Sequence, residues 1–132
     1  MLQISDWHTD LDYKEGTVKS KCGSELCCQE RFGRPADDSG ARRFGEITGC
    51  DIPLETCREQ LKWFAENLPK QPDLILWTGD SVSHDMAYMT REKVLQTLKL
   101  LTEIVKEVYP TTPVVVAIGN HDFEPANYQN FD

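Results

Sequence analysis

Three short polar clusters carry the residue types that can do chemistry. They are "SDWHTD" with Asp6 and His8, "TGDSVSHD" with Asp80, His84 and Asp85, and "GNHDFEP" with Asn120, His121 and Asp122. Carboxylates, an imidazole and an amide oxygen make a set of hard and borderline donors, suited to Zn, Mn or Fe rather than to Cu(I) or an iron–sulfur cluster. A pair of such ions about 3.5 to 4 Å apart clamps a phosphoryl oxygen and generates hydroxide at mild pH. Metal ions would also bring positive charge to a chain whose formal net charge is -8. That balance argues against a surface for nucleic acid, which neutralises phosphates with clustered Lys and Arg.

Something must bring these clusters together. Each one follows a short apolar run that reads as a strand: Leu2 to Ser5, Leu74 to Thr78 and Val114 to Ile118. The runs are nearly continuous in hydrophobicity, which predicts strands covered on both faces, as in a parallel sheet. Between them lie two amphipathic helices. One carries Leu54, Cys57, Leu61, Phe64 and Leu68 at helical spacing, with Pro53 suited to its first turn. The other carries Val94, Leu98, Leu101, Val105 and Val108, opened by Thr90 as N-cap and closed by Pro110. Strand, helix, strand, helix, strand is a layered α/β architecture, in which ligands bind outside the carboxyl ends of the strands. Asp6 and His8, two apart in extended backbone, point to the same face. Gly79 and Gly119 supply tight turns that let Asp80 and Asn120 approach a common centre, with Asp80 placed as a bridging carboxylate.

Each residue also has an ordinary reading. Asp6 alone is a loop cap, a lone Gly-Asp is a common turn, His84 and Asp85 read as a solvated loop, and Asp122 reads as a cap for the next segment. Tyr13, Trp63 and Trp77 read as packing residues, with the role of Trp7 open. The conjunction outweighs these readings: D-x-H, then G-D, then G-N-H-D, each just after a strand.

Residues 9 to 52 break the α/β rhythm as a long polar insertion rich in Gly, Pro and Cys. Loops of that length in a compact domain are functional or stapled. Of the five cysteines, Cys22, Cys27, Cys28 and Cys50 fall in it, and "CGSELCC" lacks the C-x2-C pairing of a zinc site, so disulfides in an oxidising compartment are expected. Cys57 is the expected unpaired thiol, since it sits on an apolar position of a helix. No apolar run reaches the roughly 20 residues of a membrane span, and the N-terminal residues do not read as a signal peptide.

The sequence resembles the calcineurin-like metallophosphoesterases, whose signature runs D-x-H, G-D, G-N-H-[DE]. "SDWHTDLDY", "CGSELCC", "WTGDSVSHD" and "AIGNHDFEP" further resemble the acid sphingomyelinase branch, over essentially the whole chain. The resemblance implies a β-sheet sandwich flanked by helices, of which residues 1 to 132 form the N-terminal part and the first βαβαβ half. It implies two Zn2+ ions, with Asp6 and His8 on one, Asp80 bridging and Asn120 on the second. It further implies that His121 protonates the leaving alkoxide, that His84 holds the substrate phosphate, and that Asp122 orients His121. Cysteine pairing like that of the family would be Cys22 with Cys27 and Cys28 with Cys50.

The implied activity is metal-dependent phosphodiester hydrolysis, sphingomyelin to ceramide and phosphocholine at a lipid surface, by a secreted, extracellular or lysosomal protein. The alternatives are a phosphodiesterase for nucleotides or other soluble phosphoesters, and a non-catalytic truncated binding module. The family completes its site with three further histidines downstream, whereas this chain has only His8, His84 and His121. Half of a dinuclear site, and little turnover by the chain alone, is the expectation.

Overall fold

The computed structural model describes residues 1–128. Three parallel strands, β1 (Leu2–Ile4), β4 (Ile75–Trp77) and β5 (Val114–Val116), form a sheet in the order β1-β4-β5. The register pairs Ile4 with Trp77 and Trp77 with Val116, so all three strands end at one level. Helix α1 (Leu54–Asn67) joins β1 to β4 by way of the insertion, and α2 (Arg91–Val108) joins β4 to β5. Both crossovers step the same way across the sheet. Crossovers of one hand then lay both helices on the same face.

A single core forms where that face meets the helices. Leu2, Ile4, Ile75 and Trp77 pack against Cys57 and Leu61 of α1 and Leu101, Ile104 and Val105 of α2. Leu61, Ile75 and Leu101 are completely buried. The expected apolar positions of α2 hold at Val94, Leu101 and Val105, with Thr97 and Ile104 completing the stripe. Thr90 caps α2 by accepting from the Lys93 N–H at 3.2 Å. Pro53 is extended and precedes α1 instead of lying in its first turn.

Cover on both faces of the sheet is not observed. In β5, Val115 and Val116 are 53% and 56% exposed, and Ile118 beyond it is 66% exposed. Continuous hydrophobicity in these strands therefore marks two apolar faces, of which the helices cover one. Trp63 is likewise exposed on α1, contrary to the packing role expected of it, whereas Trp77 is buried as expected.

The insertion is closed at its base by a two-residue ladder, β2 (Thr9–Asp10) with β3 (Ile52–Pro53). Inside it, disulfides join Cys22 to Cys27 and Cys28 to Cys50, around a small cluster of Cys27, Cys28 and Ala41 backed by Tyr13. Cys57 is the free, buried thiol, 3.3 Å from the Thr9 hydroxyl, and burial pushes its pKa up to about 11. It is a packing residue with an inert sulfur.

Candidate metal and phosphoester site

At the carboxyl end of the sheet the β1 and β4 loops continue to pair after the strands end. The Asp6 N–H donates to the Gly79 carbonyl, His8 N–H to the Asp80 carbonyl and Thr9 N–H to the Ser81 carbonyl, at 3.1, 3.0 and 2.8 Å. This zipper aligns the D-x-H and G-D clusters. The third cluster closes on it through two glycines: a Cβ on Gly79 would strike the Gly119 backbone, and one on Gly119 would strike Asp80. Gly79 also has φ +87°, which a side chain would strain.

The convergence of Asp6 and His8 has a different cause from the extended geometry expected of the sequence. Asp6, His8 and Asp80 all adopt left-handed backbone, at φ 54°, 40° and 52°. For residues other than glycine such conformations cost on the order of 1 to 3 kcal/mol each and persist where surrounding structure over-determines them. Between the first two, Trp7 turns inward, donates from Nε1 to Gln60 Oε1 at 2.7 Å and packs on Trp77. Its role, open from sequence, is to anchor the loop. Asp6 and His8 are thereby both turned to the sheet's edge.

Asp6, His8 and Asp80 each offer a ligand atom within 4.8 Å of the others. His8 Nε2 lies 3.9 Å from Asp6 Oδ1 and 3.9 Å from Asp80 Oδ2. Two donors each about 2.0 to 2.1 Å from one ion stand about 3.4 Å apart at a tetrahedral angle, so the spacing fits a shared cation after a small contraction. His8 Nδ1 lies 3.1 Å from the Val82 carbonyl, an arrangement that turns Nε2 to the carboxylates. A backbone carbonyl behind a histidine is the usual support of a metal-binding imidazole. Asn120 sits opposite. With its Nδ2 donating to Asn127 Oδ1 at 2.8 Å, its amide oxygen faces Asp80 Oδ2 and Oδ1 at 3.1 and 3.2 Å, acceptor against acceptor. A cation between them, or rotation of the amide, resolves that contact.

The two further imidazoles join the same centre. His84 stacks on His8 with ring centroids 3.9 Å apart, and His121 meets His84 and His8 edge-on at 4.5 and 5.0 Å. Burial, then the neighbouring His84 and His8, lowers the pKa of His121 below the ordinary imidazole value. Its Nδ1 is buried without a hydrogen-bond partner.

Asp122 does not orient the His121 ring. Its carboxylate accepts from the backbone N–H groups of Asp80, Ser81 and Gly119 at 3.0, 2.8 and 2.9 Å. It locks the β4 and β5 loops together, and the His121 N–H donates to Asp80 Oδ1 at 3.0 Å. The capping reading of Asp122 was nearer, extended to two loops. Asp85 is buried and not a solvated loop residue: Arg31 donates to its oxygens at 3.0 and 3.2 Å and Gln29 donates at 3.2 Å. Sequence reasoning missed Asp51, whose carboxylate accepts from His84. No local pattern marks it, because 33 positions separate the two.

A parallel α/β sheet that gathers two carboxylates, an amide and three imidazoles at its carboxyl edge defines the class of metal-dependent phosphoester hydrolases. Residues 1–132 match the calcineurin-like phosphoesterase model throughout, and the chain belongs to that family. It is 38% identical over 129 residues to human sphingomyelin phosphodiesterase, covering 96% of this chain and 20% of that protein. It is 37% identical over 125 residues to human acid sphingomyelinase-like phosphodiesterase 3b, covering 94% of this chain and 26% of that protein. An endopolyphosphatase of Debaryomyces hansenii is 32% identical over 143 residues, 96% of this chain and 18% of that protein. The chain thus spans about a fifth to a quarter of the length of these relatives. Family membership implies divalent metal binding, and the donor set here fits it.

Proposed function

We propose that the chain forms the N-terminal part of a metal-dependent phosphodiester hydrolase of the acid sphingomyelinase type, cleaving sphingomyelin to ceramide and phosphocholine at a lipid surface. The observation that carries the reading is the placement of Asp6, His8 and Asp80 within 4.8 Å of one another, beside Asn120, His84 and His121. Asp6 and His8 would hold one Zn2+, Asp80 would bridge to a second, and Asn120 would hold that second ion. Bound there, the two ions would supply positive charge against the phosphate oxygens and ease deprotonation of water. His84 presents its ring edge to a phosphate oxygen. His121 would carry the proton for the leaving alkoxide.

The three histidines of the chain all lie at or beside this centre. The two disulfides support a secreted or lysosomal setting. Among the described residues no helix is long and apolar enough to cross a membrane. A second reading, hydrolysis of soluble phosphoesters, draws support from the likeness to an endopolyphosphatase.

Zinc titration against a chromophoric chelator tests the site directly. Asp80→Asn is expected to weaken zinc binding by about a hundredfold with the circular dichroism spectrum intact, since it removes a bridging carboxylate. Equal zinc affinity in wild type and Asp80→Asn would refute the reading. Sphingomyelin vesicles against bis(4-nitrophenyl) phosphate, as competitors for zinc-loaded protein, separate the lipid substrate from the soluble one.

A further inference from the structure

We propose that Asp51 is the positioning residue for His84, and that the Cys28–Cys50 disulfide holds it in place. The Asp51 side chain is only 11% exposed. One carboxylate oxygen accepts the His84 backbone N–H at 2.6 Å and the other lies 2.9 Å from His84 Nδ1. Backbone and ring are gripped by the same group, so the imidazole loses both its displacement and its rotation. A carboxylate at Nδ1 also selects the tautomer protonated there, which leaves Nε2 for the centre shared with His8 and His121.

Asp51 does not stand alone. It follows Cys50, and Gln29 follows Cys28, so the Cys28–Cys50 bond crosslinks their immediate neighbours. Gln29 donates to Asp10 at 2.7 Å and to Asp85 at 3.2 Å. The two crosslinked points of the insertion therefore hold two successive residues of the β4 loop, Asp51 on His84 and Gln29 on Asp85. A polar insertion has little apolar packing with which to fix such a grip. A covalent bond between the two jaws supplies the rigidity.

The inference rests on the proposed reading of His84 as a phosphate contact only where it concerns ligand binding. Long-range 1H–15N correlation spectra of the imidazoles at pH 8 report the His84 tautomer without metal or substrate. In wild type His84 is expected in the Nδ1–H form. Asp51→Ala should shift it to a mixture dominated by Nε2–H, and Asp51→Asn, which keeps a carbonyl acceptor, should retain Nδ1–H. The double variant Cys28→Ala/Cys50→Ala should shift in the same direction as Asp51→Ala. An Nε2–H ring in wild type, or an unchanged tautomer in folded Asp51→Ala, overturns the positioning role. Should Asp51→Ala fail to fold, the wild-type tautomer and Asp51→Asn still decide it. An unchanged tautomer in the cysteine variant removes the disulfide from the claim. Inorganic phosphate binding to the zinc-loaded protein is the second arm, with about a tenfold loss expected in Asp51→Ala. A shifted tautomer with undiminished phosphate affinity would sink the phosphate role of His84 and leave Asp51 as its positioner.

Discussion

The sheet with its two helices and the insertion between β2 and β3 are stabilised in different ways. In the first, side chains such as Leu61, Ile75 and Leu101 are fully buried, and removal of apolar surface from water is the main stabilising contribution. In the second, the buried apolar set is Cys27, Cys28 and Ala41, too small to hold more than forty residues. Two disulfides and polar links such as Tyr13 Oη donating to the Arg42 carbonyl take its place. The site lies on the seam. The groups proposed as metal ligands, Asp6, His8, Asp80 and Asn120, come from the loops at the sheet's edge, while the acceptor that grips His84 comes from the insertion. Ligand placement is thus assigned to a packed scaffold, and ring orientation to a crosslinked loop.

The difference can be broken from either side. Leu61→Ala, in the packed half, is expected to cost about 2 to 5 kcal/mol by the rule for buried leucines, a large part of a small domain's margin. Urea unfolding should show it, and a loss under about 1 kcal/mol would mean the helix–sheet core is not what holds the scaffold. In the insertion, Cys28→Ala/Cys50→Ala opens a crosslink spanning 22 positions and should cost about 3 kcal/mol, against about 2 for Cys22→Ala/Cys27→Ala, which spans 5. Amide hydrogen exchange sharpens this comparison: protection should fall in residues 13 to 50 and persist in β1, β4 and α2. Equal loss in both halves would show one cooperative unit in place of two differently held ones.

Smaller effects probe the seam and the helix ends. Asp10 is buried where the insertion meets the sheet, and desolvation raises its carboxyl pKa to about 6. A raised folded-state value means that the proton stabilises the fold: the contribution is complete below pH 3.8 and is lost as pH rises through about 6. The stability advantage of Asp10→Asn over wild type, measured without metal, should therefore shrink by about 2 kcal/mol between pH 7 and pH 4. A pH-independent difference would contradict the desolvation argument. Thr90→Ala removes the N-cap of α2 and should cost about 1 kcal/mol in thermal unfolding, with no change in zinc affinity.

Much of the scaffold was legible because its signals are local. Apolar runs and helical periodicity locate the three strands and two helices, and the polar cluster after each strand locates the site. The cysteine pairing also agrees, though it came from resemblance to a family and not from spacing. What local pattern could not carry was the means of convergence. Asp6 and His8 face one centre through left-handed backbone, which is tolerated because pairing with the β4 loop and the buried Trp7 over-determine it.

By itself, then, the sequence determined the element order, the helix cap at Thr90, the unpaired Cys57 and the set of groups that meet at the sheet's edge, since propensity and periodicity depend on near neighbours. Only the tertiary structure decided that Asp122 ties loops instead of orienting a ring, that both helices share one face of the sheet, and that Asp51 grips His84. Those are contacts between residues tens of positions apart, and their energy depends on a geometry that exists only once the chain has closed.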